Sequence, residues 1–125
     1  MSINLEDIKI LVAENISALG DIIQTVLRPE KENKIFLARN SSHALLNYQI
    51  HKHDLIIIDL DLNTDGGIAL TKKIRAETPD VPVILMASYA NQEAIDKAKE
   101  IEINDLLIKP FSFDDLMKHI NYVMN

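Results

Sequence analysis

Short runs of apolar residues alternate along this chain with longer segments in which apolar residues recur at helical spacing. The runs are Ile8–Ala13, Lys34–Ala38, Leu55–Asp59, Val81–Met86 and Asp105–Ile108. Within them, LIII at 55–58 and VILM at 83–86 are apolar at every position. A strand with one wet face alternates, whereas a strand covered on both faces does not. These runs therefore predict a parallel sheet lying between layers of helices. The intervening segments supply the helices. Ile16–Leu27 carries Leu19, Ile22, Ile23, Val26 and Leu27, with Pro29 beyond its end. Ser42–Ile50 carries Ala44, Leu45, Tyr48 and Gln49, and Gly67–Glu77 carries Ile68, Leu70 and Ile74 ahead of Pro79. Gln92–Ile101 carries Ile95, Ala98 and Ile101. Ser112 is placed as the N-cap of a last helix, with Asp114 and Asp115 in its first turn. That helix is expected to bury Phe113, Leu116, Ile120 and Val123.

Strand and helix thus alternate five times. Crossovers between parallel strands are right-handed, so the order predicts an α/β fold with a doubly wound sheet and helices on both faces. A length of 125 residues suits one domain spanning 1–125, and no linker, repeat or low-complexity stretch interrupts it.

Composition narrows the function more than the fold. Apolar residues make up 47% of the chain, enough for a proper core at this size. The absence of cysteine excludes disulfides and zinc–thiolate sites and fits a reducing cytoplasm, where the protein is expected. The opening MSINLEDIKILV carries two acids before its first apolar run, not the basic stretch of a signal peptide. No apolar stretch approaches the ~18 residues that cross a bilayer, so no membrane partner is expected. Net charge is −6 and the 13 Lys and Arg residues are scattered, which argues against direct nucleic-acid binding by this chain.

In open α/β sheets, ligands bind beyond the carboxyl ends of the strands. Those ends read Ala13-Glu14-Asn15, Asp59-Leu60-Asp61, Met86-Ala87-Ser88 and Ile108-Lys109-Pro110. If the strands are parallel, Glu14, Asp59, Ser88 and Lys109 converge on one edge. Polar residues collect at exposed strand ends without any function, so one of these alone means little. The set means more, because Asp59 closes four consecutive apolar residues and Lys109 closes LLI before a proline. Carboxylates facing a lysine suit a divalent cation and a phosphoryl group, and oxygen ligands suit Mg²⁺. His43, His51 and His53 lie on or near the second predicted helix. His51 and His53, flanking Lys52, are expected to face solvent, since no third metal ligand accompanies them. His119 is expected on the surface of the last helix.

At these residues the chain resembles the receiver domains of two-component signalling. IKILVAEN is similar to that family's first strand and acidic pair, and DLIIIDLDLNTDGG to its third strand and phosphorylation loop. VPVILMASYAN resembles the fourth strand with its hydroxyl position, and DLLIKPFSFDDL the lysine–proline corner and last helix. These pieces come in order from about Ile8 to the end. The resemblance implies a five-stranded (βα)5 flavodoxin-like fold with strand order 2-1-3-4-5. It makes Asp59 the phosphate acceptor and Lys109 the partner of the phosphoryl oxygens, followed by a proline, Pro110, usually preceded by a cis bond. It places Glu14, Asn15, Asp59 and the backbone carbonyl of Asp61 around Mg²⁺. Gly67 falls on the usual loop glycine, and Gly66 where an aspartate is common. Asp61 and Tyr89 flank the path of an attacking water and would tune the lifetime of the phosphate.

The departures from the family pattern are as specific as the matches. Asn15 replaces an acid, so Mg²⁺ binding is expected to be weak. Ala87 stands where a Ser or Thr hydroxyl is usual, with Ser88 next door as a possible substitute; neighbouring strand residues point to opposite faces, which favours loss of the contact. Leu106 stands at the usual switch aromatic. The resemblance implies a histidine kinase or histidine phosphotransfer protein as partner, self-catalysed phosphotransfer and dephosphorylation in place of turnover of a separate substrate, and signalling through the face of the fourth helix, fifth strand and fifth helix. That face, with Ile95, Ile101, Ile103, Leu106 and Phe113, suits a homodimer or equally ordinary core with a partner-docking patch. The alternatives are a pseudo-receiver acting as a protein-interaction module, favoured by Asn15, Ala87 and Leu106, and a haloacid-dehalogenase-like phosphatase. The phosphatase is disfavoured because its motif would have to open the fold.

Overall fold

The runs that are apolar at every position become the middle of a sheet. In the computed structural model, which describes residues 8–14, 34–60, 66–101 and 103–125, the elements follow one another as β1 (Ile10–Ala13), β2 (Ile35–Ala38), α1 (Ser41–His51), β3 (Leu55–Asp59), α2 (Gly66–Glu77), β4 (Val83–Ser88), α3 (Gln92–Ala98), β5 (Asp105–Lys109) and α4 (Phe113–Met124). The predicted helix Ile16–Leu27, together with Asn15 and Asp61, lies outside the described residues. All strand pairs are parallel, in the order β2-β1-β3-β4-β5. The expected doubly wound flavodoxin-like architecture is therefore present.

Strand alternation sorts the core into two halves. Leu11, Ala13, Ile56, Ile58, Val83, Leu85 and Ala87 pack on one side with Ala44, Tyr48, Leu70, Ile74 and Ile95, residues of α1, α2 and α3. Ile10, Val12, Leu55, Ile57, Ile84, Met86 and Leu107 pack on the other side with Leu116 and Ile120 of α4. This explains why β1, β3 and most of β4 are buried at successive positions.

Most boundaries shift by one or two residues from the sequence expectation, and those of β4 and α3 have a visible cause or consequence. β4 begins after Pro82, at Val83, whose N–H donates to Asn104 Oδ1 at 2.8 Å. It also runs on to Ser88, two residues past Met86. α3 ends at Ala98, and Ile101 N–H closes a turn onto Ala98 O at 3.3 Å. At the start of α4 the Ser112 cap is as expected: its Oγ accepts from Asp115 N–H, while Asp115 returns the contact to Ser112 N–H.

Two expectations of burial are corrected. Phe113 is 49% exposed, because the first residue of α4 projects past the sheet that Leu116 and Ile120 cover. His53 is 2% exposed, because after the left-handed Lys52 ends α1 its ring packs against Phe36 of β2 and Tyr48 of α1. Of the residues read as either a homodimer face or ordinary core with a docking patch, Ile95 is core, and Ile101, Ile103 and Leu106 pack partly buried against it. Phe113 of that set is exposed, and Ile108 and Tyr122 add exposed apolar groups on β5 and α4.

Candidate functional site

Sheet register brings the candidate residues to one edge. Ala13 pairs with Ile58, so Glu14 follows β1 beside Asp59, which closes β3 and pairs with Met86. Glu14 N–H donates to Ala38 O at 2.9 Å, which keeps its backbone in line with β2. Both carboxylates are fully buried. Lys109 closes β5 opposite Ser88, and its Nζ reaches across to donate to Asp59 Oδ2 at 2.8 Å. The lysine side chain is 17% exposed and that of Asp59 is 0%.

The electrostatics follow from burial. Removing a carboxylate from water costs several kcal/mol unless a counter-charge and hydrogen bonds replace the solvent. The Asp59–Lys109 pair meets that demand for one carboxylate. Glu14 adds a second negative group at the neighbouring strand end, so the formal charge of these three side chains is −1. Such a site is predisposed to gain positive charge. Two buried carboxylates at adjacent strand ends are the hard oxygen donors that Mg²⁺ takes alongside retained waters, so these residues fit that ion. The other expected metal positions, Asn15 and Asp61, are outside the described residues. Among the described residues no three His, Cys, Asp or Glu side chains are gathered closely enough to hold a metal.

Around this pair the remaining expected positions fall as follows. Ala87 is 1% exposed and belongs to the core half that includes Ile95, with Leu106 packed beside it. Ser88 is half-buried, and its Oγ accepts from Ala90 N–H at 3.2 Å. Tyr89 is 71% exposed, while its N–H donates to Lys109 O at 3.2 Å and ties the loop after β4 to the lysine. The Lys109–Pro110 bond is cis.

Two supporting residues acquire their reason only here. A Cβ on Gly67 would lie 2.5 Å from Asp59 O and 2.9 Å from Ile58 Cγ2, so the start of α2 rests directly on the end of β3. Gly66, with φ of 70°, makes the turn into that helix. Sequence reasoning passed over Asn91, whose side chain accepts from Ala94 N–H and caps α3 just beyond Tyr89. An Asn immediately before a helical segment was the available signal.

The histidines are elsewhere. His53 packs edge-on against Phe36 at 4.7 Å between ring centroids and stacks on Tyr48 at 6.2 Å. Neither of its ring nitrogens has a hydrogen-bond partner among the described residues. Burial, reinforced by nearby His51 and Lys9 and opposed by Asp54, lowers its pKa to about 4. His119 is not simply on the surface: its Nδ1 contacts Asp105 Oδ2 and ties α4 to β5.

Comparison with known proteins agrees with this geometry. The family described as response regulator receiver domain matches residues 10–121. The transcriptional regulatory protein KdpE of Staphylococcus aureus is 31% identical over 115 residues, 92% of this chain and 49% of that protein. The transcriptional regulatory protein ZraR of Escherichia coli is 33% identical over 111 residues, 89% of this chain and 25% of that protein. The chain thus spans about half the length of the first relative and a quarter of the second. Among solved structures, a response regulator receiver domain protein from Clostridium thermocellum superposes with a TM-score of 0.84 at 24% identity, covering 94% of each chain.

Proposed function

This chain belongs to the response regulator receiver-domain family, and from that premise we propose that Asp59 accepts a phosphoryl group from a phosphohistidine on a histidine kinase or phosphotransfer partner. The observation that carries the proposal is the buried Asp59 held at 2.8 Å by Lys109, with Glu14 buried at the next strand end. An Asp59 oxygen forms the new bond to phosphorus as the phosphorus–nitrogen bond breaks. The leaving imidazole keeps the electron pair and takes up a proton. Water later cleaves the acyl phosphate to inorganic phosphate and the free carboxylate. Receiver domains are regulatory phosphoacceptors, so this chemistry is a switch and not turnover of a separate substrate.

The chain's own residues divide the work. Asp59 is the nucleophile, pre-positioned by the close seat of Gly67. Lys109 exchanges its carboxylate contact for the phosphoryl oxygens and keeps their charge compensated. Glu14 and Asp59 would hold Mg²⁺, with Asn15 and the Asp61 carbonyl in the family positions, and the neutral Asn15 makes that binding weak. When bound, Mg²⁺ supplies charge neutralisation to the phosphoryl oxygens. Asp61 and the exposed Tyr89 sit at the positions that tune the attack of water. The added charge draws on Lys109, whose backbone is tied to Tyr89, and so biases the loop after β4 and the α3–β5–α4 face. That face is where a partner or a second copy would read the state. With Ala87 and Leu106 built into the core, the reading runs without the usual hydroxyl–aromatic coupling.

The same two residues favour the second reading, a receiver fold kept as a protein-interaction module without phosphorylation. Family membership leaves no place for the phosphatase. The test is intact mass after incubation with acetyl phosphate and Mg²⁺. A phosphate adduct that disappears in Asp59→Asn is expected. The absence of an adduct, together with no Mg²⁺-dependent response to beryllofluoride, sinks the proposal in favour of the interaction module.

A further inference from the structure

We propose that this chain forms a twofold dimer in which α1 of each copy packs into the groove between α2 and α3 of the other. Neither α1 nor α2 belongs to the α3–β5–α4 face, and the proposal does not depend on phosphorylation of Asp59.

The argument begins with α1, which alone among the described helices carries no Asp, Glu, Lys or Arg. Its sequence, SSHALLNYQIH, turns Ser41, Ala44 and Tyr48 to the core. At about 100° per residue, Leu46 and Ile50 fall on the side opposite those three. They are 56% and 65% exposed, so two branched apolar side chains one turn apart stand out into water. The outward face of a surface helix usually carries charge, and this one offers a neutral apolar ridge.

The second feature is a groove of about 680 Å³ between α2 and α3. Its apolar surface comes from Leu60, Ile68, Ala69, Ala94 and Ile101, all but Leu60 half-buried. Lys72, Glu93, Lys97 and Glu100 line it from exposed positions, and their formal charges, +2 and −2, cancel. Helices pack by inserting such ridges into such grooves.

Charge and placement identify the occupant. The chain carries a net charge of −6, so many pairings of two copies set like charge against like. The ridge and the groove are both neutral, so this pairing does not. A strongly charged partner would gain nothing from a groove whose charges cancel. α1, α2 and α3 cover the same half of the core, and Gln49 Nε2 of α1 donates to Glu77 Oε1 of α2 at 2.9 Å. Ridge and groove therefore open from one layer, on either side of α2. A twofold axis between two such layers sets each ridge over the partner's groove. Both contacts then form together and close the assembly.

Sedimentation velocity at concentrations up to about 1 mM tests the proposal. The wild type is expected to dimerise. Leu46→Glu and Ile50→Glu put charge on the ridge, and Ala69→Phe fills the groove. Each is expected to weaken dimerisation by about tenfold or more. A mixture of Leu46→Glu with Ala69→Phe keeps one intact ridge–groove contact, so it should associate more tightly than either variant alone. Phe113→Ser and Tyr122→Ser, on the other face, should leave the dimer unchanged within about twofold. Leu46 is solvent-facing, so Leu46→Glu decides the matter even if Ala69→Phe folds poorly. A wild type that stays monomeric, a dimer indifferent to Leu46→Glu, or a dimer lost in Phe113→Ser overturns the proposal. So does a mixture no tighter than its components.

Discussion

Asp59 and Lys109 are 50 positions apart in sequence and 2.8 Å apart in space. Their pairing is what makes two buried carboxylates tolerable at one sheet edge. Breaking a buried pair by removing one partner leaves an uncompensated charge and costs about 3 kcal/mol or more. Lys109→Ala is therefore expected to lower stability by about that amount in urea unfolding, since Asp59 then remains beside Glu14 without its ammonium. Adding Asp59→Asn to Lys109→Ala should recover most of the loss, because a buried amide needs no counter-ion. Strict additivity of the two single changes would show that the pair is not coupled. At this scale the identities of Glu14, Asp59 and Lys109 were legible from strand ends alone. Their contact was not, because register across three strands is set by the whole sheet.

Elements were legible wherever their signals are local. Runs such as LIII need cover on both faces, and the Ser112–Asp115 capping box is complete within four residues. The limits of β4 were less so, because Pro82 and Asn104 act through hydrogen bonds between elements: Pro82 O accepts from Ile56 N–H and Asn104 Oδ1 from Val83 N–H. The seating of α2 on β3 is the element-scale feature with the largest consequence. A Cβ at residue 67 meets backbone at 2.5 Å and 3.0 Å, neither of which can rotate away. Gly67→Ala is expected to push α2 off the end of β3 and cost about 2 kcal/mol, within the usual range for overpacking. The same shift should lower the yield of phosphate adduct at Asp59. Wild-type melting and yield in this variant would show that the close approach has no role in holding Asp59.

At the scale of the whole molecule, the edge of the sheet opposite the candidate site carries a pH liability. His53 is neutral in its Phe36–Tyr48 surroundings, with its pKa lowered to about 4 from 6.5. The unfolded chain therefore binds a proton that the folded chain refuses between those values. Stability is fully present above about pH 6.5 and is lost as pH falls toward 4, by at most about 3 kcal/mol. His53→Phe removes the titration and keeps an aromatic ring in place. It also removes two buried nitrogens that have no partner among the described residues. The variant should be at least as stable at pH 7 and should show a flatter stability profile between pH 6.5 and 4. An unchanged slope in paired urea titrations would assign the acid sensitivity to other groups.

The sequence by itself determined the order and kind of the elements, because periodicity, capping and turn chemistry act over a few residues. It also determined which polar residues end the strands, and so which ones had to meet if the strands ran parallel. Only the tertiary structure decided the Asp59–Lys109 contact, the burial of His53 and the exposure of Phe113. Each depends on which neighbour covers a given face and at what register, and those are properties of packing between segments distant in the chain. A short stretch of sequence carries the pattern of its own faces but not the identity of what lies against them.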